Sequence, residues 1–156
     1  MRRADVARVE QAYRACHPRL WRSLLAWSGR ADIATDAEAE AFAQVCRRAP
    51  EVRDVEAWVW RSAFRIAGGM LADRNARHQR LDVTGAASDG VPTDALEIAD
   101  ALAELSELQR QCVVLRHLGG FTPDQIAGIV DSTPASVRVQ THRGLRNLRR
   151  ILEVQA

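Results

Sequence analysis

With 156 residues, 47% of them apolar, 27% charged and 5% aromatic, the chain has the length of one medium domain or two small ones and the composition of a soluble globular protein. A net charge of +2, no apolar run of membrane-spanning length and no apolar segment behind the charged start MRRADVARVE argue against membrane insertion or export. Three cysteines, far apart and without CxxC spacing, argue against a disulfide scaffold and point to a reducing cytoplasm.

So few aromatics leave a core of Ala, Leu and Val, and no alternating Val/Ile/Thr run of strand length occurs. The expected fold class is therefore all-α. In chain order, residues 6–16 form a first helix, and Pro18 suits the first turn of a second that reaches residue 27. Residues 29–33 read as a loop, and residues 36–48 as an alanine-rich helix stopped by Pro50. Residues 56–78 make one long helix with Trp58, Ser62, Ile66, Gly69 and Asp73 along a face, weakened locally at Gly68 and Gly69. The segment LDVTGAASDGVPTDA, residues 81–95, is rich in Gly, Ser, Thr, Asp and Pro, the composition of a flexible linker. It divides the chain into two small helical domains, residues 1–80 and 96–156.

In the second domain, Ser106 and Gln109 suit a capping box, and Leu108, Cys112, Leu115 and Leu118 form an inward stripe ended by Gly119 and Gly120. Thr122-Pro123 and Thr133-Pro134 are two cap-and-proline helix starts separated by a short turn, DST. Two helices so joined are a helix-turn-helix, with Asp131 as the turn residue expected at positive φ. At about 100° per residue, Val137, Thr141, Gly144, Leu145, Leu148, Ile151 and Leu152 fall within one arc of the second helix. Ala135, Arg138, Val139, His142, Arg143, Arg146, Arg149 and Arg150 fall opposite. A helix in the major groove needs small or hydrogen-bonding residues near its start and cations along the flanking backbone. Ala135, Ser136, Arg138, Val139 and His142 are placed for bases, and Arg143, Arg146, Arg149 and Arg150 for phosphates. A solvated amphipathic helix is the competing reading; the preceding helix-turn and the lack of an acid before Glu153 favour DNA.

The small net charge hides an uneven distribution. Residues 32–56 hold seven acids against three arginines, whereas residues 61–80 hold five arginines and one acid, Asp73. Aromatics two apart on a helix cannot both face inward, so one of Trp58 and Trp60 is expected to be buried and the other free to meet an unstacked base or a protein partner. With Arg61, Arg65, Arg74 and Arg77 they are candidates for a single-strand contact. Scattered histidines and cysteines give no metal-ligand spacing, and no phosphate loop, nucleophile set or paired carboxylates appear. Neither metal, cofactor nor enzymatic activity is expected.

Residues 105–148 resemble the minus-35-reading domain of bacterial sigma factors. The shared patterns are L-x-x-x-Q-R-x-x-x-x-L-R from Leu105, T-x-x-x-I-A from Thr122 and V-R-x-x-x-H-R-x-L-x-x-L-R from Val137. The first block is similar to the polymerase-binding and minus-10-reading domain: AYRACHPRLWRSLLAWSG looks like its first helix pair, and EAWVWRSAFRIAGGMLADRNAR like its promoter-melting helix. Two such domains and a short linker are the layout of the extracytoplasmic-function group of the sigma-70 family. The resemblance implies a non-catalytic subunit that directs RNA polymerase to particular promoters. It implies core RNA polymerase and promoter DNA as partners, with an anti-sigma protein as a candidate third. By the same resemblance Asp36, Glu40 and Phe42 would contact the polymerase clamp. In DAEAEAF, however, Glu38 and Ala39 occupy positions where members usually carry an apolar–glutamine pair. Two alternatives stand beside this reading: a helix-turn-helix regulator that does not bind core polymerase, and a protein-interaction adaptor that binds no DNA.

Overall fold

The structure is a computed structural model. It describes residues 2–81 and 93–155, with the side chains of 78–96 and 155 outside that description. The described residues are helical and contain no strand. The first helix, α1 (Arg3–Ser28), runs straight through Pro18, so the two helices expected there are one. The reason is an unbroken buried stripe: Val9, Ala12, Cys16, Leu20, Leu24 and Trp27 recur at helical spacing across the proline. A proline inside a helix costs about 3 kcal/mol, but Pro18 lies on the exposed side and the burial of that stripe outweighs the lost bond. Gly29 ends α1 at φ 71°, its N–H donating to the Leu25 carbonyl at 2.7 Å.

The expected loop after it shrinks to two residues, because α2 (Ala31–Arg48) already starts at Ala31. Ile33, Ala34, Ala37, Ala41 and Val45 form its buried stripe, and Ile33 and Ala34 belong to that stripe, not to a loop. A short 3-10 turn, Ala49–Glu51, contains Pro50. The Arg8 guanidinium ties this turn to α1 by donating to the carbonyls of Ala49, Val52 and Arg53. Helix α3 (Val55–Leu81) follows without a break at Gly68 and Gly69. Its buried face is Val59, Trp60, Ala63, Phe64 and Ala67, one step round from the expected line; Gly69 and Asp73 of that line are exposed.

Helices α4 (Thr93–Ala103), α5 (Glu107–His117), α6 (Pro123–Val130) and α7 (Pro134–Gln155) complete the chain. Helix α3 ends at Leu81 and α4 starts at Thr93, so both ends of the expected linker are helical, and the rest of it lies outside the described residues. The Ser106 hydroxyl accepts from the Gln109 N–H at 3.3 Å. Thr122 and Gln125 form a complete capping box at α6, and Thr133 accepts from the Ser136 N–H at 3.2 Å at α7. Asp131 is the turn residue in the left-handed region, at φ 53°, as expected. Leu118 is not part of the inward stripe: it is 44% exposed, whereas Val113 and Val114 are buried beside Cys112 and Leu115. Helix α5 touches α7 on one side and α1 on another, which demands an apolar face wider than a single stripe.

Helices α4 to α7 pack on the first three through α1 against α4 and α5, and through α3 against α6. Phe121 meets the Trp60 ring edge-on at 4.7 Å between centroids. Arg19 lies over both rings, and Arg110 lies 5.2 Å from the Trp27 centroid. All three cysteines are free. Burial, together with the nearby Glu56 and Glu38 charges, pushes the Cys16 thiol up to about 12. Burial raises Cys112 as well, against the hydrogen bond it shares with Thr141. These thiols are inert packing groups.

Candidate nucleic-acid interface

Helix α7 is held by an apolar face that fits closely on α5. Gly144 marks the nearest approach: a Cβ there would lie 2.7 Å from Val113 Cγ2 and 3.3 Å from the Gln109 carbonyl oxygen. Val137 is buried, and Thr141, Leu145, Leu148 and Ile151 are half-buried. Leu152, placed on this arc by the wheel, is exposed instead. The opposite side is open. Ala135, Arg138, Val139, His142, Arg143, Arg146, Arg149 and Arg150 are all exposed, and Ser136 is half-buried beside the cap. None of these arginines forms an ion pair among the described residues. A fixed helix-turn with a cap at each start therefore presents small and polar residues at its leading end and four free cations behind them. That arrangement suits duplex DNA, with the leading end in the major groove and the arginines on phosphates.

The candidate set on α3 is brought together less completely. Trp58 is half-buried at the surface, with Arg61 and Arg65 exposed beside it, and Arg77 is exposed further along. Trp60 corrects the expectation of a nucleic-acid contact: it is fully buried, packed between Phe64 and Phe121 with Arg19 above, and no base can reach it in this arrangement. Arg74 is engaged by Asp32 at 2.5 Å. Burial pushes the Asp32 carboxyl up, but the hydrogen bond and charge of Arg74 outweigh it, and the net result is a lowered pKa. Arg61 donates to Asp131 of the helix-turn at 3.0 Å.

On α2, Asp36 and Ala39 are exposed, and Glu40 is half-buried, accepting from the Gln44 amide at 2.9 Å. Phe42 departs from its expected place on a partner face. It is only 9% exposed and meets Tyr13 edge-on at 5.0 Å, because its position continues the buried Ala41 and Val45 surface. Glu38 is also turned inward, 4% exposed, paired with His17 Nδ1, while its second oxygen has no partner among the described residues. Burial raises its pKa, against the His17 hydrogen bond. An acid at this position thus faces α1, not a partner.

Arg19, Arg110 and Phe121, which join α1 and α3 to the later helices, are absent from the candidate residues read from the sequence. Arg110 lies in the quoted Q-R pattern, and that pattern was its only signal. No metal-holding group of His, Cys, Asp or Glu occurs among the described residues.

Residues 95–148 match the family model described as Sigma-70, region 4. The chain is 29% identical over 167 residues to the ECF RNA polymerase sigma factor SigL of Mycobacterium tuberculosis, covering 96% of this chain and 92% of that protein. It is 32% identical over 118 residues to the ECF RNA polymerase sigma factor ShbA of Streptomyces griseus, covering 65% of this chain and 60% of the relative. The structure is similar to that of the sigma factor RpoE from Bartonella quintana, solved in complex with the anti-sigma factor NepR. The TM-score is 0.77 at 18% identity, over 94% of this chain and 98% of that one. It is similar, too, to CnrH in complex with the cytosolic domain of CnrY, with TM-score 0.77 at 14% identity over 95% and 89% of the two chains.

Proposed function

We infer the activity from a premise the preceding comparisons supply: this chain belongs to the extracytoplasmic-function group of RNA polymerase sigma factors. It acts as an alternative sigma factor, binding core RNA polymerase and directing it to particular promoters. The observation that carries this reading is the outward face of α7, basic along its length and set on a capped helix-turn. Its leading residues read the minus-35 duplex in the major groove and its arginines hold the flanking phosphates.

Residues 1–80 serve as the polymerase-binding and minus-10 domain, and residues 96–156 as the minus-35 domain. Trp58, Arg61, Arg65 and Arg77 face the minus-10 strand; Arg74 joins them only by leaving Asp32. Asp36 and Glu40, four apart on one face of α2 with Ala39 beside them, meet the polymerase clamp. An anti-sigma protein is a candidate partner, since the RpoE structure similar to this chain was solved with one. Such a role places the protein in the cytoplasm with polymerase; no described helix is long and apolar enough to cross a membrane.

In vitro transcription with core polymerase of the source organism tests this. The chain should convert core enzyme into one that starts at a defined set of promoters. Reversing the charge of Asp36 and Glu40 together should abolish capture of core polymerase and leave duplex binding intact. If the native chain never captures core polymerase, even at low salt, the sigma reading fails and a regulator that acts without polymerase takes its place.

A further inference from the structure

The leading turns of α7 carry one large aliphatic side chain on an outward face that is otherwise small, polar or cationic. Val139 is 45% exposed. The α7 side chains that belong to the packed core are Val137, Leu145, Leu148 and Ile151. Val139 is turned about 200° from Val137, at about 100° per residue, so it stands on the line farthest from α5, in the second turn of the helix. Ala135, also exposed, lies close to that line one turn earlier, about 6 Å along the axis. Arg138 and His142 flank the line on one side and Arg143 on the other, and Arg146 and Arg150 follow further along it. The outermost line of α7 thus begins aliphatic and turns cationic. Valine at such a place gives the fold little: it stands outside the packed face, and it is a poorer helix former than alanine. In the major groove, by contrast, the outermost residue of a recognition helix goes deepest toward the base edges. Only thymine offers an apolar group there, its C5 methyl. Guanine, adenine and cytosine present acceptors and donors that a valine would cover without bonding.

We propose that Val139 selects a thymine in the minus-35 element by packing on its C5 methyl group, and that Ala135 keeps the start of the helix small enough for that approach. The proposal rests on the sigma-factor reading and deepens it, from a face that reads DNA to a base that this face prefers. Arg138 and His142, beside the valine, supply hydrogen bonds to neighbouring base edges. Val139 supplies discrimination by methyl contact alone. Because no charge takes part, this contact releases no counterions, and its contribution is independent of salt, unlike those of the arginines behind it.

The test uses the full-length chain and the duplex that it selects from a randomised pool. Each thymine of that duplex is replaced singly by deoxyuridine, which pairs as thymine does and lacks only the methyl. One such replacement should weaken binding by the native chain about fourfold, the equivalent of one carbon removed from apolar contact, with the log–log salt slope unchanged. Val139→Ala should weaken binding to the thymine duplex at least as much and should no longer distinguish it from the deoxyuridine duplex. The variant should melt no lower than the native chain, since the side chain stands outside the packed face. Arg149→Ala is the control: it should weaken both duplexes alike and keep the fourfold difference between them. If no single deoxyuridine weakens binding, or if the difference persists in Val139→Ala, the proposal is overturned while duplex reading by α7 stands. If the native chain selects no sequence from the pool, the proposal falls together with minus-35 reading. Capture of core polymerase, measured on the same chain, then shows whether the sigma-factor reading falls as well.

Discussion

The two basic helices of this protein are built on opposite terms. Helix α7 packs along one side, so its residues sort into a buried arc and an open arc, and its outward arginines are all exposed. Helix α3 packs against α1 and α2 and, through its first turns, against α6. Its aromatic and basic residues are therefore divided: Trp60 is buried, Arg61 and Arg74 are tied to acids, and Trp58, Arg65 and Arg77 are left at the surface. A helix whose neighbours leave one whole side open can be read off a wheel. A helix flanked on several sides requires knowledge of what lies on each.

The sharpest way to break this comparison is to truncate the two tryptophans of α3 separately. Trp60 is fully buried between two rings, so Trp60→Ala should cost about 3–5 kcal/mol. Urea unfolding at 25 °C would measure it. Trp58 is half-exposed, and Trp58→Ala should cost less than half as much while impairing promoter opening in transcription assays. Equal losses of stability would show that both rings are structural and that α3 carries no free aromatic.

The glycines of the two helices sharpen the contrast on a smaller scale. Gly144 of α7 leaves only 2.7 Å between a Cβ and Val113 Cγ2, so Gly144→Ala should destabilise by about 1–3 kcal/mol through overpacking. That is the net sign even though alanine favours the helix by about 1 kcal/mol. Gly69 of α3 has nothing within 4 Å of such a Cβ, so Gly69→Ala should stabilise by about 0.5–1 kcal/mol. Thermal unfolding of both variants would check the opposite signs.

These differences explain what the sequence made legible. The helix-turn-helix was readable to the residue because caps, prolines and a strict apolar period all pointed the same way at Thr122, Thr133 and Val137. The all-helical class followed from composition. The break placed at Pro18 did not survive, because local propensity at one residue is outweighed by a stripe of buried side chains reaching across it. Leu118 lies outside because α5 ends at His117 and Leu118 is its cap, and Phe42 lies inside because the α1–α2 pair buries a wider surface than one stripe. The ties between the first three helices and the later ones are invisible in the sequence for a different reason. Arg61 and Asp131 are separated by 70 residues, and no local pattern encodes a contact of that range.

Within α7 the exposed residues should themselves divide. Arg138 stands in the first turns, where a recognition helix meets base edges, and Arg149 stands well behind it. Arg138→Ala should lose about 1–3 kcal/mol on the preferred promoter and relax preference at one base position. Arg149→Ala should weaken all duplexes alike and lower the salt slope by about one unit. Selection from a randomised duplex pool, with binding repeated across salt concentrations, would separate the two effects. Identical behaviour on every sequence would mean that α7 holds DNA without reading it.

The smallest expected effect concerns Glu38, the acid that α2 turns inward where its charge-bearing neighbours Asp36 and Glu40 turn outward. Burial favours its protonated form, and the hydrogen bond from His17 opposes that only in part, so the pKa stays raised in the folded chain. Between the ordinary carboxylate pKa and this raised value, the folded chain binds more protons than the unfolded one. Stability must then fall as pH rises through that window. Glu38→Gln keeps an oxygen and an amide of the same shape beside His17 but cannot ionise. The variant should match the native chain at the acid end, where Glu38 is protonated in both states. It should melt at a higher temperature than the native chain near neutral pH, where the native fold must hold a buried charge. Thermal melts at matched ionic strength across that range would show the two curves diverging as pH rises. If they diverge instead as pH falls, the ionised Glu38–His17 pair is the stabilising form, and burial is not the larger influence on this carboxylate.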